Sequence, residues 1–456
     1  MLKMFFVSLV TQAVLIMTGL SLLQIFSPRR KIRWLEYLPY AWGLGVVVLY
    51  IAGGMFVKMT FLRGAWHIAV LAFIAPVISA AFRIRKKTQA PKEPFLTSGK
   101  FAWYEWLVTV LIAAKVISVL YVQMVNPVID SDATHPDLWM GLAKVIRDAG
   151  TLAPQVKQTG YHFASLLPAW ISMFLPRWHD SLVSLPWFFA YASMIGISFV
   201  SSCRILRSRF AALILAYLFA SIPLAMIHVI RPGYSDLILS CFFLMGLSVI
   251  ALGYTRTPAQ NVPLWMSVAV LSALGGLLTK HEGVIWGCWM IAVWMGYYLH
   301  ARRGWTWRKI FGSFLILGIA FYIIAIISVD FLQKMSFIND RFTRLLELRY
   351  QPGTMTAFMK MVFWRGSFNL WWWFIFLMVM TLWIKPSSSW AKAMALYVLA
   401  ATGSVFYLAC FTINVEYTML GTNIARVLLQ ISGVFLPIYC FFVKEILSPV
   451  SGDLLK

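Results

Sequence analysis

The chain has 456 residues, 61% hydrophobic and only 12% charged, with a mean hydropathy of +0.78. Soluble domains carry roughly 45–50% apolar and about 25% charged residues, so this composition excludes an ordinary soluble globule. The net charge of +23 comes from 39 basic against 16 acidic residues, but the basic residues punctuate long apolar runs, which reads as membrane orientation and not as a nucleic-acid footprint.

A hydrocarbon core of ~30 Å needs about 20 apolar residues per helix. In lipid only helices and closed barrels satisfy their own backbone hydrogen bonds. The runs here are continuous and not alternating ten-residue stretches, so an all-α polytopic protein is expected and a barrel is not. Thirteen spans are read, at about 4–26, 36–57, 66–82, 102–124, 182–202, 210–229, 236–254, 263–279, 284–299, 310–328, 368–384, 391–411 and 424–443. The five cysteines lie in or beside apolar runs without paired spacing, which suggests small buried apolar side chains.

Basic clusters fall on alternate connections. Arg29-Arg30-Lys31, Arg83 to Lys92, Arg204 to Arg209, Arg256, Arg302 to Lys309, Lys385, Lys392 and Lys444 share one side. The positive-inside rule makes that side cytoplasmic and places the N-terminus outside. The opposite side receives two long loops, residues 125–181 and 329–367, and eleven of the sixteen acidic residues.

In the first loop Asp130 and Asp132 follow the fourth span directly, at the expected membrane boundary. A carboxylate there can act as a general base, with partial burial raising its pKa toward the working pH; an Asp-x-Asp turn capping the next helix explains the spacing equally well. From Pro136 the pattern becomes helical, with Leu138, Trp139, Leu142, Val145 and Ile146 on one face and Gly150 as the stop. An amphipathic helix of this kind suits the interface plane. His135 and His162 could ligate a metal, but lone histidines more often serve as ordinary hydrogen-bonding groups.

Further on, Arg231-Pro-Gly-Tyr-Ser-Asp236 joins two apolar runs with almost no linker. Its tight turn brings Arg231 and Asp236 near each other, either as an ion pair closing a hairpin or with Arg231 and Tyr234 facing a phosphate or sugar. Thr279-Lys280-His281-Glu282-Gly283 places three ionisable groups between two helices, where such groups usually line a polar cavity. Arg426 stands early in the last span, able to snorkel or to neutralise a lipid phosphate. The second loop offers Arg349 and Tyr350 among mixed charges, and Trp371-Trp372-Trp373 reads as an interfacial aromatic belt.

Taken in order, the early-loop carboxylate, the interfacial helix ending in Gly, Arg-Pro-Gly-Tyr-Ser-Asp, Thr-Lys-His-Glu-Gly and Ala-Arg-Val-Leu-Leu-Gln resemble the GT-C glycosyltransferases that use polyprenyl-phosphate sugars, such as the protein mannosyltransferases and the lipid A aminoarabinose transferases. The similarity runs from about residue 102 to 443, which makes 1–101 an added N-terminal module of three spans and 102–456 a GT-C-like catalytic module. The resemblance implies inverting transfer of a sugar from a polyprenyl phosphate to a glycan, lipid or protein acceptor, on the periplasmic or outer face of a bacterial cytoplasmic membrane. It makes Asp132, or Asp130, the base. It gives Lys280, matched with Glu282, and Arg426 to donor phosphate; beside them the residues themselves offer Arg231 as a further phosphate contact, and Glu282, His281, Tyr234, Asp236, His135, His162, Arg349 and Tyr350 as candidate substrate contacts. No cofactor is obligatory, since a monophosphate is already a good leaving group, and a divalent metal is not favoured. The chain lacks the family's large soluble C-terminal domain, which weakens the case for a protein or lengthy polymer acceptor. The alternatives are a polymerase or ligase acting on lipid-linked oligosaccharide, and a transporter or flippase for an anionic lipid-linked substrate.

Overall fold

The computed structural model describes residues 2–26, 34–55, 100–125, 127, 139–150, 163–255, 262–280, 282–303, 350–365, 367–368, 370–385, 388–411 and 423–447, all helix or connection with no strand among them. It divides into two compact units, Met1–Met290 and Ile291–Lys456. In the first, α1 (Leu2–Phe26), α2 (Trp34–Met55) and α3 (Trp103–Val125) are followed by the short α4 (Trp139–Ala149), α5 (Leu166–Met173) and α6 (Asp180–Val183). Then come α7 (Leu185–Leu206), α8 (Arg209–Ala220), α9 (Pro223–Ile230), α10 (Asp236–Thr255) and α11 (Val262–Thr279), and α12 (Glu282–Arg303) begins there.

Because lipid tails are as apolar as leucine, helices in a membrane associate through close backbone approach and buried polar contacts. Both are present. A Cβ on Gly19 of α1 would lie 1.8 Å from the Ala41 carbonyl oxygen, and one on Gly45 of α2 would lie 1.9 Å from that of Leu15. Only glycine fits this crossing. Tyr40 of α2 reaches Ser201 of α7 at 2.6 Å and Ser248 of α10 at 3.1 Å, tying three helices together in the core.

The first unit has two polar ends. At one, Arg204 of α7 pairs with Glu36 of α2 and lies over the rings of Tyr37 and Trp265, at 5.2 and 5.6 Å. Beside α3, Arg209 grips Glu105 through Nε and Nη2 at 2.9 and 2.6 Å, and Nη2 also donates to the Lys100 carbonyl. These arginines belong to the side expected to be cytoplasmic, so part of the basic punctuation serves buried ion pairs as well as orientation. At the other end stand Trp187, Tyr234, Asp236 and Lys280. Trp187 and Arg204 are both on α7, seventeen residues apart, roughly 26 Å along its axis.

Among the described residues three helices are long and apolar enough to cross a membrane, Leu2–Phe26, Trp103–Val125 and Asp180–Leu206. Two bent pairs raise the number to five if each is one span: α8 with α9, bent by 54°, and Ile424–Gln430 with Ser432–Ile446, bent by 44°. The runs at 210–229 and 424–443, expected to be continuous, are therefore broken. Pro223 has no N–H to offer Phe219 and clashes with its carbonyl; the second break falls at Ile431, between Gln430 and Ser432. The runs expected at 66–82 and 310–328 lie outside the described residues.

In the second unit lie α13 (Thr354–Phe363), α14 (Trp371–Ile384), α15 (Ser389–Phe411), α16 (Asn423–Gln430) and α17 (Phe435–Phe442), with a π turn over Val443–Leu447. The tryptophan run at the start of α14, expected as an interfacial aromatic belt, turns two of its three rings into the protein. Trp371 and Trp372 are buried, and Trp371 stacks on Phe435 of α17 with ring centroids 4.0 Å apart. Packing against a neighbouring helix has taken the face that lipid would otherwise cover. Four of the five cysteines are buried as expected; Cys288 is exposed.

Candidate functional site

The site grows from two helix-to-helix connections of the first unit. In the link between α9 and α10, Arg231, Pro232 and Gly233 turn the chain, Gly233 with φ 127°. Trp187 Nε1 donates to the Tyr234 carbonyl at 2.7 Å, which fixes the link against α7. Ser235 and Asp236 are both fully buried. In the link between α11 and α12 the helices approach so closely that a Cβ on Gly283 would lie 1.8 Å from the Gly276 carbonyl oxygen. The Gly283 N–H closes the turn on the Lys280 carbonyl at 2.9 Å, placing Lys280 and Glu282 at the mouth of the hairpin.

Lys280 joins the two links. Its Nζ lies 3.0 Å from Asp236 Oδ1 and 3.0 Å from Glu282 Oε1. The three side chains grade outward, from 0% exposure at Asp236 through 13% at Lys280 to 33% at Glu282. A buried carboxylate needs a close counter-charge, and Lys280 supplies it. Trp139 of α4 sits under the ammonium, its ring centre 6.0 Å from Nζ, and packs edge-on against Tyr234 at 5.3 Å. His228 of α9 completes the cluster, with Nε2 3.9 Å from Asp236 Oδ2 and its ring 6.1 Å from Tyr234.

α4 ends as its sequence foretells, with Gly150 left-handed at φ 63°. Its apolar face is turned inward. Trp139, Leu142 and Ile146 are buried, and the helix packs on α5 and the 3-10 turn Phe163–Ser165. The amphipathic pattern of an interfacial helix is here that of a helix lidding a protein core, because both need one apolar stripe.

Of the residues singled out from the sequence, Lys280, Glu282, Tyr234 and Asp236 come together. Arg231 does not pair with Asp236; it is exposed, and Lys280 takes the carboxylate instead. The turn reverses the chain after Arg231 and buries Asp236 while leaving the arginine outside. Arg426 is half-buried in α16, and Tyr350 is exposed and stacked on Phe411 at 5.7 Å, both in the second unit. Asp130, Asp132, His135, His162, His281 and Arg349 lie outside the described residues. Among the described residues no three His, Cys, Asp or Glu side chains converge as metal ligands.

Two groups had escaped notice in the sequence. His228 stands three residues before Arg231 inside an apolar run, and Lys115 stands near the middle of α3. Lys115 is half-buried with Nζ 5.7 Å over the ring of Tyr217 in α8. A lone ionisable residue inside an apolar run was the available signal for both. Comparison with protein-family profiles, with curated proteins and with solved structures finds no match for this chain.

Proposed function

We propose that this chain is an integral-membrane, inverting glycosyltransferase of GT-C type with about thirteen spans. It moves a sugar from a polyprenyl-phosphate donor to a glycan or lipid acceptor at the non-cytoplasmic face of a bacterial cytoplasmic membrane. The observation that carries this reading is the Asp236–Lys280–Glu282 cluster, built where α10 begins and α11 ends, away from the Arg204 and Arg209 pairs. A cation fixed at that depth suits a lipid-borne anion. Donor phosphate would take the place of the more exposed Glu282 on the Lys280 ammonium, while buried Asp236 keeps the ammonium in position. Arg231, exposed in the link beside the cluster, is a further phosphate partner.

In the reaction the acceptor hydroxyl gives its proton to Asp132, or to Asp130, as its oxygen bonds the anomeric carbon. The bond from that carbon to the phosphate oxygen breaks on the opposite face, and its electron pair leaves with the phosphate. The charge that develops there is what Lys280 stabilises. The test is transfer by the purified full chain in proteoliposomes supplied with hexosyl polyprenyl phosphate and detergent-extracted envelope lipids as acceptor. Asp132→Asn should abolish turnover with donor binding intact, and Lys280→Ala should weaken binding of bare polyprenyl phosphate by tenfold or more, as loss of a charge-assisted contact requires. Unchanged affinity in Lys280→Ala would refute the phosphate site.

Lys115 and the break between α8 and α9 favour a second reading, translocation of an anionic lipid-linked substrate. Lys115 is about 18 Å from one end of α3 and about 15 Å from the other, too deep to snorkel, and broken helices mark transporter binding sites. If Lys115→Ala stops the movement of fluorescent polyprenyl phosphate between leaflets, and transfer is absent from the wild type, this reading replaces the first.

A further inference from the structure

Lys115 stands near the middle of α3, about 15 Å or more along the axis from either end. An ammonium at that depth in hydrocarbon is costly, and such groups as a rule pair with an opposite charge. Among the described residues no carboxylate pairs with Lys115; its half-buried Nζ lies over the ring of Tyr217 at 5.7 Å. Of the three helices long and apolar enough to cross a membrane, α3 is the least enclosed, with 17% of its apolar stretch buried against 50% and 72% in the others. Its open side carries Ala114 and Ser118 one turn apart, a pair small enough to let another backbone approach closely. The Ser118 hydroxyl already donates to the Ala114 carbonyl at 2.7 Å, so this surface asks for no polar partner of its own. Lys115 lies at the rim of that side, with exposed Leu111 and Ser118 as its neighbours one turn away on either side.

We infer that the open side of α3 docks a membrane-spanning helix of a partner protein, which sets an Asp or Glu of its mid-span against Lys115. Charge decides the occupant. Lipid tails offer no anion at that depth, since headgroup phosphates lie outside the ~30 Å hydrocarbon core. This chain offers none either. No Asp or Glu stands in the middle of any of its thirteen apolar runs; Glu36, Glu105 and Asp236 lie at the edges of theirs, and pair with Arg204, Arg209 and Lys280. A second copy docked through the same surface would set lysine beside lysine, because a two-fold contact brings the same patch from both sides. The carboxylate therefore comes from a different protein. This pairing stands apart from the transferase reading and gives Lys115 a partner other than a translocated lipid.

The experiment measures energy transfer in liposomes between the fluorescently labelled full chain and synthetic membrane-spanning peptides of leucine and alanine. The peptides carry Asp, Leu or Lys at their centre. The wild type should associate with the Asp peptide roughly tenfold more tightly than with the Leu peptide, as a polar contact between helices in lipid requires. This arm needs no substitution, and equal association with the two peptides overturns the inference. Lys115→Met, which keeps the bulk of the side chain, should erase the preference and leave association with the Leu peptide unchanged. Lys115→Asp should reverse it, favouring the Lys peptide. A preference for Asp that survives both substitutions places the contact elsewhere and overturns the role of Lys115. Displacement of the Asp peptide from the wild type by an equimolar amount of polyprenyl phosphate would assign the ammonium to a lipid anion and overturn the protein partner. None of these arms measures sugar transfer, so a failed docking surface and a failed transferase reading are told apart.

Discussion

Asp236 has no exposed surface, and Lys280 holds its Oδ1 at 3.0 Å. Removing one partner of such a pair leaves an uncompensated buried charge, at a cost of about 3–5 kcal/mol, whereas replacing both with uncharged groups can be nearly neutral. Lys280→Met should therefore lower the thermal unfolding midpoint sharply. The double variant Lys280→Met/Asp236→Asn should recover most of the loss while remaining unable to bind polyprenyl phosphate. A double variant as unstable as the single one would mean that the cost lies in packing and not in charge. Lys280, Glu282, Tyr234 and Asp236 were legible in the sequence because polar residues between apolar runs have few places to go. Which carboxylate Lys280 would choose was not legible: Asp236 is 44 positions away, and no local spacing reports a contact across two hairpins. His228 and Lys115 were missed for a related reason, since a single polar residue within a run dilutes hydropathy too little to be seen.

The cluster depends on how closely its helices approach. Gly283 abuts the Gly276 carbonyl oxygen, and Gly19 and Gly45 do the same between α1 and α2. In each place a methyl group meets backbone and cannot be absorbed by turning a side chain. Gly283→Ala should part α11 from α12 at the mouth of the hairpin and pull Glu282 and Lys280 off Asp236, so that binding of polyprenyl phosphate falls along with stability. Gly19→Ala lies on a crossing remote from the cluster in sequence and should destabilise the fold, at or above the top of the roughly 1–3 kcal/mol range of overpacked cores, with less effect on binding per unit of protein folded. Equal loss of binding per folded molecule in both variants would remove the hairpin's special role. At this scale the sequence was informative: apolar runs located α1, α2, α3, α7, α10, α11, α12 and α15 closely. Where it misled, at α8 with α9, a proline four residues beyond a carbonyl was outweighed by the continuous hydrophobicity around it. The Gly-on-carbonyl crossings were invisible, because a glycine in an apolar run looks the same whether it faces lipid or another backbone.

Orientation belongs to the whole chain, because it is set by where all the basic residues fall and not by any one of them. The first unit provides a consistency check. Residues assigned by charge to one side, Arg204 and Arg209, gather with Glu36 and Glu105, while Trp187, Tyr234, Asp236 and Lys280 gather at the far end of the same helices. In the second unit Ser388 pairs with Glu445, and Tyr350 stacks on Phe411, again joining positions that alternate counting puts on one side. Such agreement fixes which ends go together, and the charge bias alone says which set faces the cytoplasm. Single cysteines in a Cys288→Ser background read this out. Asp148→Cys and Arg177→Cys, both at exposed positions of the first long loop, should react with a membrane-impermeant maleimide in cells whose outer barrier alone is opened. Arg207→Cys, exposed between α7 and α8, should react only after the cytoplasmic membrane is breached. The reverse pattern would turn the molecule over, carrying the Lys280 cluster to the cytoplasmic face, where transfer from a donor held on the outer leaflet cannot occur. Labelling of all three from one side would instead break the alternation between α3 and α8 on which the count of spans depends.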